Sequence, residues 1–267
     1  MEKVLFDYKT NKFDRKFYCC TDIHGQYQLW AQIRDFLGED DILFFLGDAI
    51  DRGPDGLKIM KELFEDKRVI YLPGNHEDSF FDLIPYLIKQ DNDSTHYELH
   101  SEEDFALWIY NGGYDTYQEW KSLSKEDKEY LYKKLKELIE EEPEHYIFQR
   151  QDGKMVLLSH AGTSIEKTQT ELTRLGCGQK PYLWDRRHYK YPWPEDEKWK
   201  DWMIIHGHTP VHLLEKQVEK ADPEVLIYDD GHKIDLDLAS FSYNKIALYD
   251  LDTDEIKYFY QKTDLVP

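Results

Sequence analysis

Five short runs rich in Asp, Asn and His punctuate this chain, and each follows an apolar stretch of strand length. They are Asp22-Ile23-His24-Gly25, Gly47-Asp48-Ala49-Ile50-Asp51-Arg52-Gly53, Gly74-Asn75-His76-Glu77, His160-Ala161-Gly162 and His206-Gly207-His208-Thr209. The stretches before the first three are Phe17-Tyr18-Cys19-Cys20, Ile42-Leu43-Phe44-Phe45-Leu46 and Val69-Ile70-Tyr71-Leu72. Helix-length segments, 27–37 and 57–64, lie between them. That alternation predicts an α/β fold with parallel strands and covering helices. Such folds place their sites just beyond the strand ends, where these runs fall.

The middle of the chain changes character. Residues 79–142 read as a charged helical insertion covering one side of the core. Ser124 is an N-cap candidate with Asp127 three residues on, and Leu131, Leu135, Leu138 and Ile139 share one helical face. Pro143 marks its end. Strand patterns return at Met155-Val156-Leu157-Leu158 and Trp202-Met203-Ile204-Ile205. Segments 225–228, 233–238, 245–249 and 256–260 read as a meander of antiparallel strands. The expected architecture is one domain with a two-layer mixed β-sheet core, flanked by helices.

The residue types in the runs point to metal chemistry. Carboxylate, imidazole and amide oxygen suit Mn, Fe or Zn, and no thiolate accompanies them. Asp22 and His24, two apart in an extended turn, can grip one ion. Two ions about 3.5–4 Å apart need a bridging carboxylate, and Asp48 at the tip of the second strand is the natural candidate. Glycines beside the ligands allow tight turns.

Composition narrows the partners. The formal net charge is −20, which opposes long nucleic acids and anionic lipid surfaces. No apolar run approaches the roughly 20 residues of a membrane span. The N-terminus lacks a secretory pattern, so a cytoplasmic location is expected. Cys19, Cys20 and Cys177 form no metal or disulfide motif and read as core or loop thiols.

Taken together, the runs resemble the PPP-type phosphatases of the calcineurin-like metallophosphoesterase superfamily. More narrowly, they are similar to small bacterial Ser/Thr protein phosphatases and diadenosine-tetraphosphate hydrolases. Asn111-Gly112-Gly113 and Leu183-Trp184-Asp185-Arg186 also resemble that bacterial branch. The resemblance implies two divalent metal ions, with Mn foremost. Asp22, His24 and Asp48 would hold the first, and Asp48, Asn75, His160 and His208 the second. A water between the ions would be the nucleophile, and His76 the acid for the leaving oxygen, oriented by Asp51. Arg52 and Arg186 would clamp the phosphoryl oxygens.

Glu77 is given no catalytic role, His206 a supporting or structural one, and His188 and His212 read as surface residues. Two departures stand out. Thr21 replaces a usual Gly, and Asp237-Leu238-Ala239-Ser240 replaces an Asp-Thr-Gly-Ala-like run. The leading expectation is hydrolysis of phosphoserine or phosphothreonine on protein, with a dinucleoside polyphosphate as the alternative small phosphorylated substrate. A non-catalytic interaction module with this fold is the reading from another class.

Overall fold

A computed structural model describes residues 15–91, 99–163, 180–186, 188–214 and 222–261. Cys177 and Arg187 lie outside them. The described strands are β1 (Phe17–Cys20), β2 (Ile42–Phe45), β3 (Val69–Tyr71), β4 (His145–Gln149), β5 (Met155–Ala161), β6 (Trp202–Gly207), β7 (Leu226–Tyr228), β8 (Lys233–Asp235), β9 (Lys245–Asp250) and β10 (Ile256–Tyr260). They form two mixed sheets, in the orders β10-β9-β1-β2-β3 and β4-β5-β6-β8-β7. Pairs β1–β2, β2–β3, β5–β6 and β6–β8 are parallel, and β1–β9, β9–β10, β4–β5 and β7–β8 are antiparallel.

Period-two alternation explains why the first strands are apolar throughout. Phe17 and Cys19 of β1 face the second sheet with Phe44, Ala247 and Tyr249, meeting Phe148, Val156, Leu158, Met203 and Ile205 there. Tyr18 and Cys20 face the other way, with Leu43 and Phe45, into the helices. A strand buried on both faces needs no polar positions.

The longer helices among the described residues are α1 (Tyr27–Phe36), α2 (Gly56–Glu65), α3 (Asn75–Asp91), α4 (Leu99–Trp108), α5 (Tyr114–Ser122) and α6 (Lys125–Glu140). Ser124 caps α6 by accepting the Asp127 N–H at 3.0 Å, and Leu131, Leu135 and Leu138 are buried beneath it. The α2 N-terminus is served from α5, where the Glu119 carboxylate accepts the Leu57 N–H at 2.9 Å. No helix among the described residues is long and apolar enough to cross a membrane.

Two expectations need correction, and one strand went unread. The helical region starts at Asn75, so the third run is itself a helix N-terminus. The C-terminal strands are not one meander: β7–β8 belongs to the second sheet, with β8 parallel to β6, and β9–β10 belongs to the first. The Asp237–Ser240 loop carries the chain between the sheets. Strand β4 carried no readable signal, because it is a sheet-edge strand with four of its five residues half-buried.

Candidate metal centre and active site

The site lies where the two sheets meet. The first sheet supplies Asp22 and His24 after β1, Asp48 after β2 and Asn75 after β3. The second supplies His160 and His208. His160 lies within β5, and not beyond it; a register irregularity between Leu158 and Ala161 accompanies its placement. His208 follows β6 directly.

The loops hold one another by backbone hydrogen bonds. Asp22 N–H donates to Gly47 O (3.0 Å), His24 N–H to Asp48 O (3.0 Å) and Gly25 N–H to Ala49 O (2.8 Å). Six site residues adopt left-handed backbone: Asp22, His24, Asp48, Asp51, Arg52 and His208, with φ from 47° to 71°. Such conformations cost about 1–3 kcal/mol each and persist where surrounding contacts enforce them. Gly74 is required by close approach, since a Cβ there would stand 2.2 Å from Asp48 Oδ1.

Glu77 performs this enforcement. Fully buried in the first turn of α3, its carboxylate accepts the N–H groups of Asp48 (2.8 Å), Ala49 (2.8 Å) and Gly74 (2.9 Å). It binds the second run to the third, a structural duty. Glu77→Ala strands these donors and the Ile50 N–H (3.4 Å), four in all, so a loss of at least about 3 kcal/mol is expected. Urea denaturation measures it; an unshifted midpoint would remove Glu77 from this role.

Asp48 is central. Its Oδ2 lies 3.6 Å from His24 Nε2, and its Oδ1 lies 3.5 Å from His160 Nε2. His24, Asp48 and His76 offer ligand atoms all within 4.8 Å of one another, and so do Asp48, His160 and His208. Asp22 Oδ1 stands 3.8 Å from His24 Nε2. Asn75 Oδ1 lies 2.7 Å from His208 Nδ1 and 2.9 Å from His160 Nε2.

The donor set fits divalent cations. His24 Nδ1–H donates to Ile50 O and His160 Nδ1–H to Leu46 O, both at 2.8 Å, which leaves each Nε2 unprotonated with a lone pair to offer. The His160 Nε2 to Asn75 Oδ1 approach therefore sets two lone pairs face to face, a repulsion that a cation relieves. Asp22 Oδ1 is buried without a hydrogen-bond partner, while Oδ2 accepts from Thr21 Oγ1 (2.6 Å) and the His208 N–H (3.0 Å). Thr21 thus adds a hydrogen bond that Gly would lack.

Charge follows the same plan. Burial holds His24, His160 and His208 below the ordinary histidine value, keeping them neutral as ligands must be. Burial also acts to lower His76, but the Asp48 and Asp51 carboxylates outweigh it and raise it, favouring the protonated ring. Burial, with Asp22 and Glu77 adding, pushes Asp48 up despite His76 nearby, a load that cations remove.

His76 Nδ1–H donates to Asp51 Oδ2 at 2.6 Å. Arg52 donates from Nη1 to His24 Nε2 (2.7 Å), and its Nη2 stands 2.9 Å from His76 Nε2. Arg186 donates to His208 O at 3.2 Å and lines a cavity with Arg52, Asn75 and His76. That cavity holds about 400 Å³, and its further walls include Leu83, Tyr86, Leu107, Trp108 and Trp184.

Two histidines depart from expectation. His188 is buried, not on the surface: its ring packs 4.3 Å from His206 and fills the space over Gly162. His212 is half-buried against Tyr243. His206 touches His188 and Tyr228 (3.0 Å) and supports the strand.

The replaced C-terminal run is accommodated. Ala239 takes left-handed backbone (φ 52°), its N–H held by Asp237 Oδ1 at 2.8 Å, and Ser240 Oγ donates to Asp22 O at 2.5 Å. The loop then places Phe241 under the Arg52 guanidinium at 4.9 Å and edge-on to His24 at 5.6 Å. Sequence reasoning missed Phe241, Trp108 and Thr116. Only the adjoining Asn111-Gly112-Gly113 hinted at the last two.

The calcineurin-like phosphoesterase family model matches residues 15–240. This chain belongs to that family. It is therefore an enzyme of phosphoester hydrolysis, and the non-catalytic reading falls away. Among relatives, a bis(5'-nucleosyl)-tetraphosphatase PrpE (asymmetrical) of Oceanobacillus iheyensis is 27% identical over 216 residues, 78% of this chain and 72% of that protein. The protein of the same description from Halalkalibacterium halodurans is 26% identical over 210 residues, covering 71% and 76%. A crystal structure assigned provisionally as a diadenosine tetraphosphatase superposes with a TM-score of 0.52 at 14% identity, covering 92% of this chain and 94% of that one. That likeness speaks for the calcineurin-like fold alone.

Proposed function

We propose that this phosphoesterase hydrolyses dinucleoside polyphosphates, in the manner of diadenosine tetraphosphate, ahead of phosphoserine or phosphothreonine on protein. The carrying observation is the cavity that opens directly off His76 and Arg52. Its volume falls within the roughly 300–1,000 Å³ of small-molecule sites. Tyr86, Trp108, Trp184, Leu83 and Leu107 offer it ring-stacking and apolar walls, while its two cations, Arg52 and Arg186, stand at the reacting end with Asn75 and His76. A nucleoside has a ring for such walls, whereas a phosphoserine has only a methylene beside the phosphate. The relatives described as nucleosyl-tetraphosphatases support the same preference.

Asp22, His24 and Asp48 would hold one cation, and Asp48, Asn75, His160 and His208 the other, with manganese the first choice. When bound, the pair supplies the charge that makes water nucleophilic near neutral pH. Arg52 and Arg186 clamp the phosphoryl oxygens. His76, protonated and oriented by Asp51, gives its Nε2 proton to the leaving oxygen. The whole chain acts as one domain in the cytoplasm, with residues 79–142 walling the cavity.

Protein stripped of metal and reloaded with manganese is given diadenosine tetraphosphate and a phosphothreonine peptide side by side. The dinucleotide is expected to win by about tenfold or more in kcat/KM, with ATP and AMP as products on chromatography. Preference for the peptide would overturn the assignment in favour of a protein phosphatase. A product pool of ADP alone would keep the substrate and move the cleaved bond to the centre of the chain.

A further inference from the structure

The helices between β3 and β4 reach the reacting groups by three hydrogen bonds. Trp108, the last residue of α4, donates its indole N–H to Asp51 Oδ2 at 2.9 Å. That oxygen is the one that receives His76 Nδ1–H. The Asp51 N–H donates to Thr116 Oγ1 at 2.9 Å, and the Arg52 N–H donates to Gly112 O at 2.8 Å. Between Trp108 and α5 the chain makes a π-helical turn, Ile109–Gly113, of a kind that recurs at functional sites.

The geometry around Trp108 is tightly specified. The side chain is 3% exposed and stacks on Phe80, with centroids 5.6 Å apart. A Cβ at Gly113 would come 2.3 Å from its ring, so glycine there lets the indole lie against the backbone. Gly112 has φ 108°, and a Cβ on it would meet Arg52 Cγ at 2.6 Å. The other Asp51 oxygen, Oδ1, is buried without a hydrogen-bond partner. The carboxylate's orientation therefore depends on what Oδ2 receives. Without the indole N–H, one imidazole contact alone would have to hold it.

We propose that Trp108 is a positioning residue for hydrolysis: its indole N–H fixes the Asp51 carboxylate, which holds the His76 ring with Nε2 toward the leaving oxygen. This rests on His76 being the acid. In that step a water oxygen forms the new bond to phosphorus, and the bond from phosphorus to the leaving oxygen breaks. The leaving oxygen keeps the electron pair and takes the Nε2 proton; a proton from the attacking water restores the balance. Helix α4 is then part of the catalytic apparatus as well as a wall of the cavity.

Trp108→Phe keeps most of the ring packing and removes the N–H. The manganese-loaded variant is compared with wild type on phenyl phosphate, a poor leaving group that needs an acid, and on p-nitrophenyl phosphate, which needs little. The expected result is a fall of about 10-fold in kcat on phenyl phosphate, a change within about twofold on p-nitrophenyl phosphate, and unaltered KM on both. Equal losses on the two esters would overturn the proposal, and so would no loss on either. His76→Asn runs alongside and should show the same bias more strongly. If His76→Asn shows no bias, the acid assignment itself fails. If it does and Trp108→Phe does not, only the role of Trp108 fails. Should Trp108→Phe not fold, β-(3-benzothienyl)alanine at position 108 keeps the bicyclic shape and deletes only the N–H, and the same comparison decides.

Discussion

Asp48→Asn is expected to lose both cations and about 10³-fold or more of the hydrolytic rate. The two carboxylate oxygens of Asp48 face different ligand groups, Oδ2 toward His24 and Oδ1 toward His160. An asparagine keeps the shape but replaces one oxygen by an amide that has no lone pair for a cation. Whichever way the amide turns, one group is broken, and the other loses its negative charge. Cation assistance in such centres is worth several kcal/mol, and each 1.36 kcal/mol is about a factor of ten. Metal content per chain by mass spectrometry, beside the turnover number, is the measurement. Two ions retained at full occupancy would show that Asp48 does not bridge.

His76→Asn should separate the acid from the ligands. A loss of about 10²–10⁴-fold in kcat is expected with metal content unchanged, because general acid catalysis contributes on that scale. The control matters, since His76 Nε2 lies only 3.8 Å from Asp48 Oδ2 and its ligand atoms fall within reach of His24 and Asp48. If the variant binds one ion fewer, His76 is a ligand, and the acid must be sought elsewhere. The His76 Nδ1–H bond to Asp51 favours the acid, because it leaves Nε2 pointing into the cavity.

Much of this was legible in the sequence, for identifiable reasons. A strand buried on both faces has a continuous apolar signature, so β1 and β2 could be read directly, and the ligand-rich turns that follow them stood out against it. The α6 cap was readable because Ser124 and Asp127 act locally. The pairing of β8 with β6 was not, because strand partnership is a long-range fact that short alternating segments do not encode. His188 was misread because burial of a lone imidazole depends on a glycine 26 positions away in the chain. Trp108 was missed for a similar reason. Its stacking on Phe80 looks like ordinary core, and only the direction of its N–H reveals a second duty.

Neither sheet carries the whole centre. One ligand group needs Asp48 and Asn75 from the first layer and His160 and His208 from the second. A cation seated there is a clasp between two halves of the molecule, and its affinity is lent to their docking. By mass action a ligand at a hundred times its dissociation constant adds about 2.7 kcal/mol to the folded state, a sizeable share of the few kcal/mol that separate folded from unfolded chains. The supply of free metal would thus govern both whether this enzyme can turn over and how firmly its two layers are joined.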